Sequence, residues 1–472
     1  MSCWWTAAKR RLHGLEGRQR RRLGPEEGSP FRDPPRYVKL PAMPEPSSAR
    51  KPAPPPLLRW GVLLFVSLAM FGNYYIYDSI APLADLLEKQ LGFTSTQLGS
   101  LNAIYSFPNI IMVLIGGILV DRLGARTSTL AFTAICLLGA IITALSHEFV
   151  MMAAGRLIFG LGAESMIVAI TASIGQWFKG KQLGFAFGLN LSIARAGSYA
   201  ADLSPTWAKS IYDSGWQGPM LLAVGFGAMA LAAAAIFWLL EKGAEPRYDL
   251  VHVAATDKIS WSDIWIFDRS FWYIVGLTVT FYSVIFPFRS TFAIKYFQDA
   301  HGLSLAEAGE INGYVFLAAI FATPLFGLLV DRVGKRSLFM VAGSLLLLPV
   351  FLVLGYTNWT LWVSTALIGI SFSLVPAVLW PSIPYLVEDG RLGTAYGLMT
   401  MLQNIGLTVI NLAAGWLNDT NNAGADNPGG YLPMLWLFGL LSLAGIVFSL
   451  LLRQREIGPH GHGLETLQAM GL

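Results

Sequence analysis

Gly117-Ile118-Leu119-Val120-Asp121-Arg122-Leu123-Gly124-Ala125-Arg126 returns, nearly letter for letter, as Gly327-Leu328-Leu329-Val330-Asp331-Arg332-Val333-Gly334-Lys335-Arg336. In each copy an apolar run meets Asp-Arg, then Gly, then further basic residues. The copies stand 210 positions apart, Gly117 to Gly327. A repeat at that offset divides the chain into two similar halves. Each copy reads as a charged joint at one membrane face.

The rest of the chain supports a membrane protein. Its 472 residues are 54% hydrophobic and 13% charged, with mean hydropathy +0.53. A soluble domain carries about 25% charged residues. Apolar runs of about twenty residues recur, each enough to cross a hydrocarbon core of about 30 Å. They predict twelve spans near 58–80, 98–120, 127–147, 149–172, 183–205, 219–241, 270–293, 307–330, 337–356, 359–386, 394–416 and 431–452. The fold class is therefore all-α and membrane-embedded, twelve helices in two six-helix bundles related by a pseudo-two-fold axis.

Loop charge orients the spans. A cytoplasmic N-terminus puts Arg122, Arg126, Lys179, Lys181, Lys242, Arg247, Lys258, Arg269, Arg332, Lys335, Arg336 and Arg391 in inside loops, and only Lys89, Lys209 and Lys295 outside. By the positive-inside rule both termini are cytoplasmic. The chain then reads as a basic, Pro-rich, disordered tail (1–57), a first bundle (58–241), a cytoplasmic linker (242–269), a second bundle (270–452) and a C-terminal tail (453–472). Trp261, Trp265 and Phe267 give the linker either an interfacial helix or no regular structure.

The repeated phrases supply candidate switch residues: Gly117, Asp121, Arg122 and Arg126 in one half, Gly327, Asp331, Arg332 and Arg336 in the other. A carboxylate at a helix end can face the positive end of a neighbouring helix. The basic residues can pair with acids of the opposite half when this face is closed and release them when it opens.

Ionisable groups inside a membrane are costly and mark function by default. They are Asp78, Arg156, Glu164, Arg195 and Asp202, with Arg289 near a span end. Glu164 and Arg195 lie at similar depths on spans four and five. They form either a buried ion pair that fixes packing or a cavity pair for a zwitterion, Glu164 taking an ammonium and Arg195 a carboxylate. Arg156 is as readily structural as proton-related. Asp78 and Arg289 end spans one and seven, 211 residues apart. They either meet as an outer gate or snorkel to water. Asn73, Tyr105, Tyr282, Trp380, Gln403 and Asn404 complete the candidate substrate-binding set, and the buried amides in particular need partners.

No nucleotide-binding loop or metal-ligand spacing appears, so the sequence does not point to an enzyme, a primary pump, a cofactor or a metal. The expected partners are a small-molecule substrate and the lipid bilayer, with no nucleic acid. The chain reads as a monomer, and no feature requires an accessory subunit.

The Asp-Arg loops and the six-plus-six layout resemble the major facilitator superfamily. Within it the chain is similar to the animal lysosomal dipeptide uniporters. The similarity runs through Asn73-Tyr-Tyr-Ile-Tyr-Asp78, Gly155-Arg-Leu-Ile-Phe-Gly-Leu-Gly-Ala-Glu-Ser165, Trp177-Phe-Lys-Gly-Lys181, Ser192-Ile-Ala-Arg-Ala-Gly-Ser198, Phe286-Pro-Phe288 and Gln403-Asn-Ile-Gly406. The resemblance implies a secondary carrier of dipeptides without obligatory proton coupling. Its acidic amine binder falls on Glu164 and its carboxylate-binding arginine on Arg195. The alternative within the same fold is a proton-coupled carrier of a small organic anion or sugar acid. The acidic dileucine sorting signal of the animal proteins has no counterpart at Leu57-Leu58, and Arg289 replaces an apolar position. Together with the Ala and Gly content, these departures favour a bacterial inner membrane over the lysosome.

Overall fold

The computed structural model describes residues 52–178, 182–248, 264–357, 359–388 and 391–466. Most of the basic N-terminal tail, most of the linker, Lys179, Lys181 and the last six residues lie outside them. Among the described residues twelve long helices are present: α1 Pro56–Asp78, α2 Ser95–Leu123, α3 Ala125–Leu145, α4 Phe149–Phe178, α5 Leu183–Asp202, α6 Gln217–Ala244, α7 Arg269–Pro287, α8 Leu305–Val333, α9 Arg336–Tyr356, α10 Leu361–Leu386, α11 Leu392–Thr420 and α12 Leu432–Ile457. Ten are long and apolar enough to cross a membrane, and the bent helix α2 makes eleven. The twelfth, α5, is made more polar by Asn190, Ser192, Arg195, Ser198 and Asp202.

The two halves pack alike. In the first, α1 lies against α5 and α6, α4 against α2 and α3, and α3 against α6. In the second, α7 lies against α11 and α12, α10 against α8 and α9, and α9 against α12. Adding six to each helix number converts one set into the other. The seam between halves obeys the same rule, with α2 on α11 and α5 on α8.

The 210-residue offset reaches local backbone chemistry. Helix α2 starts with a capping box, Thr94 and Gln97, and α8 with another, Ser304 and Glu307. Each box satisfies two N–H groups that the helix start would leave unpaired. Gly124 and Gly334 follow the two Asp-Arg phrases with φ of 79° and 70°, the region in which a Cβ is strained. Gly99 and Gly309 are also mates. A Cβ on Gly99 would lie 2.3 Å from the Asn411 carbonyl oxygen, and one on Gly309 would lie 2.3 Å from that of Asp202. Glycine thus lets backbone touch backbone at both crossings of the seam.

These crossings lie at the face opposite the Asp-Arg joints, called the far face below. The backbone N–H groups of Ser95 and Thr96 donate to Asp419 Oδ1 and Oδ2, both at 2.8 Å, so an acid of the second half neutralises the start of α2. Lys295 bridges to Asp85 and Glu88 of the first half and to Asp299 of its own. Buried residues of α8 concentrate between Ala308 and Ala319, whereas Phe321, Leu325 and Leu328 towards the joint face are exposed. Ile111, Ile115 and Ile118 repeat that exposure on α2.

At the joint face two of the candidate switch arginines pair locally. Arg126 pairs with Glu245 at 2.9 Å and Arg336 with Asp331 at 2.8 Å, each within its own half. With the halves seamed at the far face, the joint ends of α2 and α8 stand exposed, and these arginines use acids close by. Before α7, Ile264 and Trp265 form a 3-10 turn with Trp265 90% exposed, while Trp261 and the rest of the stretch expected as an interfacial helix lie outside the described residues.

The segment after α12 folds back along the joint face of the second bundle. Its Leu464 carbonyl accepts from the Arg336 N–H at 2.8 Å, and Glu465 accepts from both the N–H and the hydroxyl of Ser337. The first turn of α9 is thereby capped by the C-terminal segment. Asp268 caps α7 through Ser270 and is gripped by Arg455 at the end of α12. The Arg455 hydrogen bonds hold its carboxyl well below the usual carboxylate range.

Two outcomes follow. Gly99→Ala or Gly309→Ala should force the seam apart and cost about 1–3 kcal/mol in detergent unfolding, the usual range for overpacking, while Gly61→Ala, which meets open space, should not. Because the Asp268 carboxyl is depressed in the fold, its contribution is complete above about pH 4 and fades as pH falls below that. Asp268→Asn should therefore lower the melting temperature at neutral pH and flatten its decline on acidification.

Candidate functional site

A cavity of about 300 Å³ opens between the halves. Asn73, Tyr74 and Tyr77 enter it from α1, Tyr105 from α2, Glu164 and Ile167 from α4 and Arg195 from α5. The second half supplies Tyr282 and Phe286 from α7, Trp380 from α10, and Thr400, Gln403, Asn404 and Leu407 from α11. All eight expected substrate-binding residues line it. The size falls at the low end of small-molecule sites.

Glu164 and Arg195 both face the cavity, and neither is the ion-pair partner of the other. The packing-pair reading is thereby excluded for this conformation. Arg195 is instead surrounded by rings: Tyr74 at 5.6 Å, Phe316 at 5.3 Å and Phe372 at 4.7 Å from its guanidinium carbon. Such contacts hold a cation without neutralising it. Its Nη1 has no hydrogen-bond partner, and neither Gln403 Oε1 nor Asn73 Oδ1 has a donor. Asn404 Nδ2 is spent on the Thr400 carbonyl at 2.9 Å. The cavity therefore offers one uncommitted cationic donor, one carboxylate and two uncommitted amide acceptors.

The aromatic wall is itself ordered. Trp380 Nε1 donates to the Tyr282 hydroxyl at 2.8 Å, and the Tyr396 hydroxyl donates to the Trp380 carbonyl at 3.1 Å. Tyr282 stacks on Phe286 and Trp380 on Tyr396. A proline-rich stretch of α10, Pro376, Pro381 and Pro384, carries Trp380, and Pro287 ends the regular part of α7.

Sequence reading did not single out Ile167, Thr400 or Leu407, although each lies three or four residues from a named cavity residue, one helical turn away. It also did not single out Phe316 and Phe372, the rings of the second half that hold Arg195. Three other polar or aromatic residues of these helices lie outside its lining. Phe288 packs in the second-half core against Phe351 and Phe438. Tyr385 sits under Arg336 at the joint face. Asn109 is buried away from the lining.

Towards the far face, Arg289 meets Asp78 at 2.9 Å, as the offset suggests, and also Asp202 at 2.7 Å. All three side chains are at most 1% exposed, so they do not snorkel to water. Arg289 is carried by a π-helical turn, Phe288–Phe292, directly after Pro287. Proline lacks the N–H for a regular turn, and a π turn accommodates the misfit while redirecting side chains. Arg289 also lies 3.7 Å over the Phe316 ring, the same ring that touches Arg195. Arg156 takes no acid. It donates to the carbonyls of Ile76 and Tyr77 at the end of α1 and to the Leu101 carbonyl and Asn102 Oδ1 of α2, tying α4 to both. A cation on the Ile76 and Tyr77 carbonyls answers the negative end of α1.

Comparison with known proteins places these features in context. Residues 63–294 and 274–467 each match the family profile "Major Facilitator Superfamily". The chain is 34% identical over 370 residues to the lysosomal dipeptide transporter MFSD1 of Danio rerio, covering 76% of this chain and 80% of that protein. The corresponding Homo sapiens protein is 32% identical over 371 residues, with coverage of 76% and 80%. Among solved structures, a bacterial homologue of the human lysosomal transporter Spinster, inward-facing and unoccupied, aligns with a TM-score of 0.68 at 16% identity. That alignment covers 85% of this chain and 98% of the other.

Removing Arg289 leaves two buried carboxylates without their cation. Arg289→Ala should cost about 3–5 kcal/mol in unfolding. The double exchange Asp78→Arg with Arg289→Asp should not restore stability, because it turns a new carboxylate onto Asp202; full recovery would show that Asp202 is not a working partner.

Proposed function

This chain belongs to the Major Facilitator Superfamily, and on that premise we propose that it is a secondary carrier of small zwitterions, dipeptides foremost, working by uniport. It is a multi-pass membrane transporter. The observation that supports the substrate class best is the unpaired presence of Glu164 and Arg195 in one cavity. A dipeptide brings an ammonium for Glu164, a carboxylate for Arg195 and a peptide N–H for Gln403 or Asn73. A simple anion would leave Glu164 facing it, at a cost in repulsion. The names of the relatives point the same way.

Alternating access follows from the frame. The bundles 58–241 and 270–452, joined by 242–269, are the moving units. The conformation described above is the far-closed state, with substrate reaching the cavity from the joint face. To open the far face, the seam at Gly99 and Gly309 must part together with the Arg289 contacts. The joint arginines, Arg126 and Arg336, then become available to acids across the halves, and Gly117, Asp121, Arg122, Gly327, Asp331 and Arg332 act with them. Loop charge supports a cytoplasmic joint face and cytoplasmic termini. The missing acidic dileucine and the Ala- and Gly-rich composition support a bacterial inner membrane.

Counterflow in proteoliposomes tests this reading. Dipeptide counterflow is expected with or without a pH gradient. Glu164→Gln and Arg195→Lys should each weaken dipeptide binding by roughly 10–100-fold, the worth of a charged hydrogen bond. If no dipeptide moves and none shifts the melting temperature, the dipeptide assignment is wrong; counterflow of organic acids instead would assign the cavity to anions.

A further inference from the structure

The cluster around Arg289 has more acid than base. One guanidinium bridges two carboxylates, Nη1 to Asp78 Oδ1 and Nη2 to Asp202 Oδ2, which sets the carboxylates side by side. Both belong to the first half, whereas Arg289 belongs to the second. Asp78 Oδ2 and Asp202 Oδ1 receive no hydrogen bond, although both side chains are fully buried.

Neighbouring groups do not answer those two oxygens. Tyr74 and Tyr77 on α1 are phenols. Arg156 on α4 is committed to three carbonyls and Asn102. On α8, the Asn312 amide lies beside the Asp202 carboxylate and gives its hydrogen bond to the Arg289 carbonyl. Tyr212, beyond α5, shares its hydroxyl bond with Ser204. Asn102 of α2 and Asn411 of α11 are engaged with Thr291. Lys295 is held by Asp85, Glu88 and Asp299.

Opening the far face carries Arg289 away with the second half and leaves Asp78 and Asp202 facing each other without their shared cation. Two adjacent carboxylates do not both stay ionised cheaply. We propose that Asp78 and Asp202 form a proton-binding site, separate from the substrate cavity, at which one proton replaces Arg289 when the far face opens. A hydronium ion from the far side gives its proton to a free carboxylate oxygen, forming one O–H bond and leaving water. On closure Arg289 returns and the carboxylic acid gives its proton back to far-side water, re-forming hydronium, so no proton crosses and uniport is kept. Acid on the far side therefore favours the far-open state, and the proton site lies on the gate and not on Glu164.

The test uses spin labels at Val150→Cys and Thr360→Cys, exposed far-face positions in the two halves, in a Cys3→Ser, Cys136→Ser background. Distances are read by double electron–electron resonance in nanodiscs with no peptide added, so the outcome does not depend on the dipeptide reading. Between about pH 8 and about pH 5 the long-distance population should grow at least threefold, a modest linkage for one proton, about 0.7 kcal/mol. Asp202→Asn and Asp78→Asn should each abolish that growth, and Glu164→Gln should keep it. A flat titration of the otherwise wild-type protein overturns the proposal even if an Asp variant fails to fold. So does a pH response that survives both Asp variants, one that disappears with Glu164→Gln, or one reproduced by sodium at fixed pH.

Discussion

A guanidinium taken out of water must find its acceptors there, or the structure around it does not close. Arg289 finds its carboxylates across the seam, in Asp78 and Asp202, and a hydroxyl beside it in Ser290. Its place depends on the π turn behind Pro287. The acceptors depend on α1 and α5 ending at the same depth, which their packing against each other secures. The backbone contacts at Gly99 and Gly309 bring the halves near enough for the three side chains to meet. Remove the ion cluster and these close contacts would face two uncompensated charges; remove the glycines and the charges would not reach.

Symmetry builds the frame and its failures build the chemistry. Capping boxes, left-handed glycines, seam glycines and the asparagine pair Asn102 and Asn312 all recur at one offset. Both asparagines bond the π turn, at Ser290 with Thr291 and at Arg289. The cavity breaks the pattern. Its first-half wall holds Glu164 and Arg195, whereas its second-half wall holds amides and rings. A charged wall against a neutral one gives a bound zwitterion a fixed end and a permissive one. Phe316 adds a link, since one ring touches the cation of the cavity and the cation of the gate.

Much of this was legible in the residues. The repeated Asp-Arg phrase carried the helix count and the halves, because membrane spans announce themselves by length and apolarity. Similar depth on adjacent helices was enough to bring Glu164 and Arg195 to one place, but depth carries no azimuth, so pairing and facing stayed equivalent until the helices were rotated into position. The offset found Asp78 with Arg289. It could not find Asp202, because the position that the Gly99 and Gly309 contacts match to it is Asn411, an amide, and a symmetry argument sees only what both copies share. Phe316 and Phe372 were hidden for another reason: a ring in an apolar helix looks the same whether it packs on leucine or on arginine.

The folded-back C-terminal segment has a practical side. Helix α9 begins directly after the second Asp-Arg phrase, and its first turn borrows its acceptors from Leu464 and Glu465. The tail is thus a structural part of the second joint and not a free end. An affinity handle or fluorescent fusion attached close behind Glu465 would compete for those N–H groups at the element that must move, whereas one placed ahead of α1 touches no described contact of either joint.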